Sequence, residues 1–554
     1  MKQVISQILS KLTLIPKEEI ENLIEIPPSQ ELGDYAFPCF IIAKREKKNP
    51  VAIAQHLSAQ IISKEFERVE AKGPYLNFFI NRNKLAEQTI KEILKQKDKY
   101  GSSKEGKNKK IVIEMSSPNI AKPFGVGHLR STIIGNSISN ISQFLGYKPI
   151  KINYLGDWGT PFGKIITGWK KFGSESKLKR DPIKHLLELY IKVNADPELE
   201  VEARKWFKKL EDGDNEALGL WKRFRSLSLK EFDKIYSLLG IKFDVISGES
   251  FYEKKMPKVI KELESKNLLE ESEGAKIVNL EKYNLGVVLI EKSDGATLYA
   301  TRDLAAAIDR HNKYKFNQML YEVGAEQKLH FKQIFKVLEL LGHKWAESCI
   351  HIEHGLYLDK EGKKLASRKG TNLFMEDIIN ETKELAKKEI KKREKLSEKE
   401  LDKRALSIAL ASIIYGDLKN YRANDITFDI ERFISFEGNT GPYLLYTYAR
   451  AKSILRKSKK KNKFEIENLN EKEKSLVLEL SKFPEVVKHS YEQLSPNLIA
   501  NYAYSLSQNF NEFYHSEKVI GSDNQDFRLA LVESFSYVLN NSLSLLGIKT
   551  IEKM

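Results

Sequence analysis

The sequence predicts a doubly wound α/β sheet with an insertion in the middle of the chain, an α+β unit before it and an all-α bundle after it. Three patterns lead to this prediction. Short apolar segments alternate with helical patterns between about residues 111 and 353, which is typical of parallel βαβ units. An apolar strand at residues 75–80 follows the turn pair Gly73-Pro74. Beyond residue 463, apolar residues recur every three or four positions, as in helical bundles.

Three changes in composition divide the chain of 554 residues, a length that suggests about three or four domains. Residues 96–110 are rich in Lys, Gly and Ser and indicate a solvated linker. The charged run at residues 383–403 predicts one exposed helix. Residues 457–463 are nearly all Lys, Ser and Asn. Before the first of these breaks, an amphipathic helix is predicted from the spacing of Val4, Ile5 and Ile8.

The central unit is predicted to contain four apolar strands, at residues 111–115, 150–154, 319–323 and 350–353. Helical patterns follow the first and the third of them. In doubly wound sheets, ligands bind beyond the carboxyl ends of the strands. The loops after these strands are therefore where we expect a functional site.

The composition favours a soluble protein that binds a polyanion. With 92 Lys and Arg against 76 Asp and Glu, the formal net charge is +16, and nucleic acid is the first candidate partner. A membrane surface or an acidic protein is a weaker candidate, because the charge is spread along the chain. The two cysteines, Cys39 and Cys349, exclude a disulfide scaffold and a cysteine-built zinc site. No stretch approaches the ~18 apolar residues of a membrane span, and we expect a cytoplasmic location.

A loop at residues 114–132 combines glycines and cations where a strand passes into a helix. Gly125 and Gly127 allow a ligand to approach the backbone closely. His128 stands at the helix start, where free N–H groups and the helix dipole favour an anion, and Lys122 adds a positive charge. A triphosphate would need such a site. The alternative is a capped βα turn with an incidental histidine, and spacing alone leaves both open.

Five motifs carry a resemblance to a known family. They are SPNIAKPFGVGH at residues 117–128, GDWGT at 156–160, LYATRD at 298–303, YEVGAEQ at 321–327 and KLASRKG at 364–370. The first and the last resemble the "HIGH" and "KMSKS" elements of class I aminoacyl-tRNA synthetases. In order and spacing, the whole set resembles the arginyl-tRNA synthetases. The resemblance implies a Rossmann-like catalytic domain that ligates L-arginine to tRNA(Arg) with ATP, through arginyl-adenylate, for protein synthesis.

The resemblance also implies three domains. An N-terminal added domain at residues 1–105 would contact the tRNA elbow. A class I catalytic domain at 106–434 would contain a connective insertion at about 170–285 and the KMSKS-like loop at 364–370. A helical anticodon-binding domain would follow at residues 435–554.

Two departures from the family pattern concern charged positions. Gly125 replaces the first His of "HIGH", and Ser367 stands where the second Lys of "KMSKS" is expected. The resemblance implies that Lys122 takes over from that lysine, although which cation touches the transferring phosphate stays open. The implied catalytic residues are His128, Lys122, Lys364, Arg368 and Lys369. The implied ATP-binding residues are Pro118, Asn119, Ile120, Ala121, Lys122, Pro123, Phe124, Gly125, Val126, Gly127 and His128.

The resemblance places Tyr299 and Asp303 at the guanidinium of arginine, with Glu114, Asn119 and Gln327 around its α-amino and carboxylate groups. A guanidinium stays protonated in proteins, so its pocket must supply acceptors. Without the resemblance, Asp303 is better interpreted as the N-cap of a helix that begins after a short strand.

The implied partners are L-arginine, ATP and tRNA(Arg), with no membrane partner. Mg²⁺ would be held mainly by the phosphates of ATP, and we expect no structural zinc and no metal ligands in the protein. Activation of arginine is expected to require the tRNA, whose terminal 2′-OH then attacks the adenylate. Tyr443, Tyr446 and Arg450 are expected tRNA contacts, since aromatic and basic side chains suit unpaired bases. We expect a monomer.

Two alternatives remain. A class I ligase for cysteine, glutamate or glutamine is disfavoured by Tyr299 and Asp303, and by the absence of a four-cysteine zinc set. A tRNA-binding relative without catalytic activity would have no need of the cations at His128, Lys122 and the KMSKS-like loop.

Overall fold

The structure is a computed structural model that describes residues 1–293, 299–365, 374–458, 464–466 and 468–554. These residues form two units. The first consists of residues 1–100, 451–483 and 505–538, and the second of residues 101–450, 484–504 and 539–554.

The helices and strands are numbered in chain order. The helices are α1 Lys2–Thr13, α2 Lys17–Leu23, α3 Phe40–Glu46, α4 Pro50–Gln60, α5 Arg82–Gln96, α6 Val126–Phe144, α7 Thr160–Phe172, α8 Glu175–Arg180, α9 Pro182–Asn194, α10 Pro197–Glu211, α11 Asn215–Leu239, α12 Met256–Ser265, α13 Tyr299–Tyr314, α14 Lys328–Leu340, α15 Met375–Lys391, α16 Glu398–Leu418, α17 Ile430–Phe433, α18 Gly441–Lys457, α19 Glu471–Ser481, α20 Phe483–Glu492, α21 Asn497–Ser516 and α22 Gln525–Leu545. The strands are β1 Tyr35–Pro38, β2 Phe66–Lys72, β3 Tyr75–Ile80, β4 Lys110–Glu114, β5 Lys148–Leu155, β6 Val245–Gly248, β7 Glu270–Ser272, β8 Ala275–Asn279, β9 Val287–Glu291, β10 Gln318–Gly324, β11 Cys349–His354, β12 Tyr357–Leu358 and β13 Ile426–Thr427.

The first unit contains an antiparallel sheet of order β1-β3-β2. Its central strand β3 is the one predicted at residues 75–80, which is confirmed. Apolar side chains of α1 to α4 and of the sheet form one core, which includes Ile5, Leu9, Phe37 and Phe78. The predicted α+β character of the N-terminal part is therefore confirmed.

Helical segments from the C-terminal part complete the first unit. The ring of Tyr100 stacks on that of Phe483 with centroids 6.2 Å apart, and its hydroxyl donates a hydrogen bond to Leu480 O at 3.3 Å. Tyr100 lies in the stretch 96–110, so the prediction of a fully solvated linker is wrong at this position. An aromatic ring inside a Lys- and Gly-rich stretch was the signal against it.

A parallel sheet of order β11-β10-β4-β5-β6 forms the centre of the second unit. Its middle strand β4 is covered on both faces, since Ile111, Val112 and Ile113 are fully buried, and a continuous apolar run is typical of such strands. The chain adds β5 and β6 on one side of β4, then β10 and β11 on the other. The order therefore reverses between β4 and β10, and ligands bind at such a switch point.

Two groups of elements interrupt this sheet. Helices α7 to α11 connect β5 to β6, and we call them the insertion helices. Helix α12, the antiparallel sheet β7-β8-β9 and helix α13 connect β6 to β10. The stretch 170–285 expected as an insertion therefore also contains β6, the edge strand of the parallel sheet.

The charged run at residues 383–403 forms two helices, so the prediction of one helix is wrong. Helix α15 ends at Lys391, and α16 begins after Ser397. The Oγ of Ser397 accepts a hydrogen bond from Glu400 N at 3.4 Å, and this N-cap starts a new helix. The two helices pack together, and Lys387 Nζ lies 2.5 Å from Asp402 Oδ1.

Candidate active site

The loop after β4 contains backbone conformations that side chains rarely adopt. The φ angles of Ser116, Ser117 and Ala121 are 74°, 46° and 59°. Each such residue costs about 1–3 kcal/mol and persists only where its surroundings hold it. This strain lies between Glu114, the last residue of β4, and helix α6, in the segment predicted to bind ATP.

Hydrogen bonds from the insertion helix α11 hold the strained residues. Ser116 Oγ lies 2.8 Å from Tyr236 Oη and accepts a hydrogen bond from Thr132 Oγ1 at 2.8 Å. The backbone N–H of Ala121 donates to Ser228 Oγ at 3.0 Å. Tyr236 and Ser228 both belong to α11, so this helix fixes the loop at two points.

Only part of the predicted ATP-binding segment can meet a ligand. Its exposed residues are Asn119 and Gly127, and Lys122, Gly125 and His128 are half-buried. The residues that support the loop from inside are Pro118, Ile120, Ala121, Pro123, Phe124 and Val126, all of which are buried. A Cβ on Gly127 would meet no atom within 4 Å, so the protein itself does not require glycine there.

The GDWGT motif packs beneath this loop. A Cβ on Gly156 would lie 2.2 Å from Asn119 Oδ1, so a larger residue there would force the Asn119 side chain to move. Asp157 follows it and is fully buried, where it accepts hydrogen bonds from Arg225 Nε at 2.8 Å and Ser250 N at 2.9 Å. The motif thus ties the loop to α11 and to the segment after β6.

His128 lies in the first turn of α6, as predicted. Its Nδ1 accepts a hydrogen bond from the backbone N–H of Gly125 at 3.3 Å, so the neutral ring carries its proton on Nε2. Burial, followed by the charge of Lys122, lowers the pKa of His128 to about 4. The side chain caps the turn and, being neutral near pH 7, also presents an N–H donor at the positive end of the helix. The interpretation as a capped βα turn and the interpretation as part of an anion site are thus compatible.

The predicted cation Lys122 lies next to His128, whose pKa its charge lowers. Its Nζ is 5.4 Å from the ring centroid of Tyr190, on helix α9. The side chain is half-buried.

The KMSKS-like loop is described only at its start. Lys364 pairs through its backbone with Leu358 of β12, and its Nζ lies 2.6 Å from Glu326 Oε1. Glu326 follows β10, so Lys364 reaches the edge of the sheet where the crevice is expected. The predicted residues Arg368 and Lys369 lie outside the described residues.

The residues predicted for the α-amino and carboxylate groups follow neighbouring strands. Glu114 ends β4 and is buried, and its carboxylate lies 2.5 Å from Arg310 Nη1. Burial raises the pKa of Glu114, against the charge of Arg310. Asn119 and Gln327 are exposed, the latter in the 3₁₀ turn Ala325–Gln327 after β10. Because β4 and β10 are adjacent and parallel, all three residues follow the same edge of the sheet.

Asp303 lies in the second turn of α13, whose described part begins at Tyr299. The N-cap interpretation is therefore wrong, because the residues before Asp303 are helical and not a strand. Asp303 Oδ2 lies 2.7 Å from His330 Nε2, and the Tyr299 ring lies 5.2 Å from the His330 ring. Residues four apart share one face of a helix, so Tyr299 and Asp303 present their side chains together.

Asp303 acts electrostatically on the end of β4. Burial is the main reason why the pKa values of Glu114, Tyr154 and Tyr321 are raised, and the negative charge of Asp303 adds to it in all three. Tyr321 is the register partner of Glu114. The structure thus brings Asp303 and Glu114, both predicted for arginine, into one electrostatic environment.

The sequence interpretation missed Glu249, which follows β6 in a 3₁₀ turn. Burial raises the pKa of Glu249 to about 7, with Arg302 opposing the shift and Asp303 adding to it. Arg302 Nη1 lies 3.4 Å from Glu249, and its Nη2 lies 2.6 Å from Glu253. The signal that could have identified Glu249 is the short apolar segment Val245–Gly248 directly before it, because it is a strand whose carboxyl end faces the same edge.

Several buried polar atoms around this edge have no hydrogen-bond partner within the described part of the chain. They are Ser117 Oγ, Tyr154 Oη, Tyr321 Oη and Trp158 Nε1. Buried polar groups are normally paired. These residues lie on or just after β4, β5 and β10.

No metal centre is found among the residues that the structure describes. Within them, no group of three or more His, Cys, Asp or Glu side chains could hold a metal ion. His351 Nε2 lies 3.0 Å from Val323 O, and His354 Nδ1 lies 2.9 Å from Glu322 Oε1. Both histidines of β11 thus bond to the neighbouring strand β10.

The expected tRNA contacts lie on helix α18. Tyr446 is 36% exposed, and the guanidinium of Arg450 lies 4.9 Å from its ring centroid. Tyr443 is half-buried, with its ring 5.6 Å from that of Tyr504. Leu444 is buried on the opposite side. Of the three predicted contacts, Tyr446 is therefore the most exposed, and Arg450, which is half-buried like Tyr443, packs against its ring.

Comparison with known proteins places these features in a family. The family model described as "tRNA synthetases class I (R), catalytic domain" matches residues 89–430, more than half of the chain. The "DALR anticodon binding domain" matches residues 444–554, and the "Arginyl tRNA synthetase N terminal domain" matches residues 1–80. A protein of Clostridium perfringens (strain 13 / Type A) named arginine–tRNA ligase is 46% identical over 100% of both chains. The chain belongs to the arginyl-tRNA synthetase family.

Further relatives agree with this membership. An arginine–tRNA ligase of Pediococcus pentosaceus is 48% identical over 97% of this chain and 96% of its own. The crystal structure of arginyl-tRNA synthetase from Plasmodium falciparum has a TM-score of 0.82 at 26% identity, covering 100% of this chain and 98% of that one. The predicted family and fold class are confirmed.

Proposed function

We propose that the chain joins L-arginine to tRNA(Arg) in two steps, consuming ATP and releasing AMP and diphosphate. The observation that carries this function is the set of functional side chains that follow the carboxyl ends of β4, β6 and β10. The carboxylates of Asp303, Glu249 and Glu114 supply acceptors there, and the strained loop after β4 carries His128 and Lys122. The carboxylates suit a cationic amino acid, and His128 and Lys122 suit phosphates. Family membership favours a ligase for arginine over the other class I ligases and over a relative without catalytic activity.

The guanidinium is bound by acceptors on α13 and after β6. The Asp303 oxygen that is not bonded to His330 can accept N–H bonds from the planar guanidinium. Tyr299 lies on the same helix face. Glu249 supplies a second carboxylate. A lysine substrate would present a single ammonium to this arrangement and leave a half-buried acceptor without its N–H partner, which disfavours lysine.

In the first step, a carboxylate oxygen of arginine attacks the α-phosphorus of ATP in line. The bond from this phosphorus to the bridging oxygen breaks, diphosphate leaves, and arginyl-adenylate forms. No protein group has to give or take a proton, so positioning and charge stabilisation carry the step. The Nε2–H of His128 and the ammonium of Lys122 donate to phosphate oxygens as negative charge develops.

The KMSKS-like loop supplies further cations to the phosphates. Lys364, Arg368 and Lys369 are assigned to this role by resemblance, and the position of Lys364 after β12 supports it. Because Ser367 replaces a lysine in this loop, Lys122 is assigned the role of that missing cation.

Mg²⁺ enters with ATP and neutralises charge on its phosphates. Mg²⁺ usually keeps several waters and binds proteins through one or two carboxylates plus substrate phosphates, and the described residues hold no cluster suited to a dedicated site. Activity should therefore vanish with EDTA and return with Mg²⁺, while the melting temperature of the protein without ATP stays unchanged.

In the second step, the 2′-OH of the terminal tRNA ribose attacks the activated carbonyl carbon and displaces AMP. The adenylate phosphate accepts the hydroxyl proton. Tyr446 and Arg450 on α18, with Tyr443, bind unpaired tRNA bases by stacking and charge.

The enzyme acts as a monomer in the cytoplasm. The described part of the chain contains no helix that is long and apolar enough to cross a membrane. Its net charge of +16 attracts tRNA without a second subunit. Sedimentation equilibrium at micromolar concentration tests the monomer, with a doubled mass as the contrary result.

Exchange of radiolabelled diphosphate into ATP tests the function. Each amino acid is supplied in turn, with and without tRNA. We expect exchange with arginine alone, and only when tRNA is present. Exchange with another amino acid would contradict the substrate, and exchange with arginine in the absence of tRNA would contradict the tRNA requirement alone.

A further inference from the structure

Lys122 has an aromatic partner on an insertion helix. Its Nζ lies 5.4 Å from the ring centroid of Tyr190, within the ~6 Å over which a cation is attracted to a ring face. Both side chains are half-buried. Among the described residues, no carboxylate lies within 4.0 Å of this ammonium, whereas Lys364 is paired with Glu326.

An aromatic partner suits a lysine that has to meet phosphates. A carboxylate beside Lys122 would compete with ATP for the ammonium and repel the phosphates. The face of a ring attracts the cation without carrying a formal charge. It also restricts the flexible side chain before the substrate arrives, and such preorganisation reduces the entropy lost on binding.

We propose that Tyr190 is a positioning residue for Lys122. The ring of Tyr190 holds the ammonium of Lys122 in place, so that it points towards the phosphates of ATP. This inference rests on the function proposed above. The insertion fixes the preceding residue as well, because Ala121 N donates to Ser228 Oγ of α11. Helix α9 thus contacts the side chain of Lys122, and helix α11 holds the backbone of the adjacent Ala121.

Three variants test the role of the ring. Tyr190→Leu removes the aromatic face, and Tyr190→Phe keeps it while removing the hydroxyl. Phe172→Leu is a matched control, since the Phe172 ring lies 5.3 Å from Lys192 Nζ in the same insertion. We measure kcat and the KM for ATP in arginine-dependent diphosphate exchange with tRNA present, and check folding by circular dichroism.

We expect Tyr190→Leu to lower kcat about 2- to 30-fold, with Tyr190→Phe and Phe172→Leu within about twofold of the wild type. In a Lys122→Met background, Tyr190→Leu should add no further loss, because both changes remove one interaction. Additive losses would overturn the proposal. Equal losses in the Leu and Phe variants would also overturn it, since the hydroxyl would then be the active group.

A series of ring-fluorinated phenylalanines at position 190 separates electrostatics from shape. Each fluorine weakens the negative potential of the ring face, so kcat should fall stepwise along the series. A flat response would mean that the ring only fills space and would refute the proposal. Failure of the proposed function has another signature, namely no arginine-dependent exchange in the wild type.

Discussion

His330 Nε2 and Asp303 Oδ2 lie 2.7 Å apart and join helix α14 to helix α13. Tyr299 packs against the same imidazole, with ring centroids 5.2 Å apart. His330 therefore orients the carboxylate through one oxygen and leaves the other oxygen available to a ligand. The pocket proposed for the guanidinium is thus preformed by contacts between two helices that flank β10.

Replacing Asp303 by Ala should raise the KM for arginine about 100-fold or more, because a guanidinium would lose its charged acceptor in a partly buried site. Arginine titrations of diphosphate exchange measure this. Asp309→Ala is the matched control, since Asp309 lies on the same helix and pairs with Lys255 at 2.5 Å. Similar KM values in the two variants would contradict the role of Asp303.

Arginine binding should weaken as the pH falls from 8 to 6. The pKa of Glu249 is raised to about 7, mainly by burial, so its carboxylate gains a proton in this range. Protonation removes the negative charge that attracts the guanidinium, and at pH 6 about one tenth of the carboxyl remains ionised. The KM for arginine should therefore rise by up to about tenfold.

Glu249→Gln tests the origin of this pH dependence. The variant keeps the side-chain shape and an acceptor oxygen but cannot titrate. Its KM for arginine should be high and nearly constant between pH 6 and 8. A variant that retains the wild-type slope would show that another group is responsible.

Local patterns were sufficient to predict four of the five strands of the parallel sheet, all but β6, and the loop after β4. The continuous apolar run Ile111–Ile113 predicts a strand, and the structure buries these three residues completely. The change from a strand pattern to a helical pattern around His128 placed the loop at the correct end of that strand. Both features depend on residues that are near one another in the chain.

Contacts between distant segments could not be predicted in this way. Tyr190 meets Lys122, and Glu249 meets Arg302, only through packing of separate helices. Asp303 was misplaced at a helix start because local sequence does not show whether Tyr299 belongs to a strand or a helix. The local preferences of these residues are compatible with a helix or a strand, so tertiary packing determines which of the two forms.

His128 is expected to act as a neutral hydrogen-bond donor. With its pKa lowered to about 4 by burial and by Lys122, it does not change its charge between pH 6 and 8. His128→Ala should lower kcat about 100- to 1000-fold, the range for loss of one preorganised donor, with arginine binding largely kept. His128→Asn, which retains a neutral N–H donor, should recover part of the rate. If Asn and Ala were equally impaired, the donor role would be contradicted.

The hydroxyl of Tyr236 should stabilise both the fold and the strained loop. It lies 2.8 Å from Ser116 Oγ and accepts a hydrogen bond from Asn153 Nδ2 at 3.0 Å. In Tyr236→Phe these buried groups lose a partner, which costs about 1–3 kcal/mol. The φ of 74° at Ser116 is then held less firmly, so kcat should also fall. Urea unfolding followed by tryptophan fluorescence measures the stability loss, and diphosphate exchange measures kcat.

Tyr415→Phe separates the effect on the loop from the effect on stability. The Tyr415 hydroxyl is also buried and lies 2.6 Å from Asn439 Oδ1 and 2.9 Å from Ala500 O. Neither residue belongs to the loop after β4. We expect a similar loss of free energy of unfolding from this variant with kcat unchanged, whereas Tyr236→Phe loses both. If the two variants lowered kcat equally, the rate would follow global stability, and the strained conformation of Ser116 would have no part in catalysis.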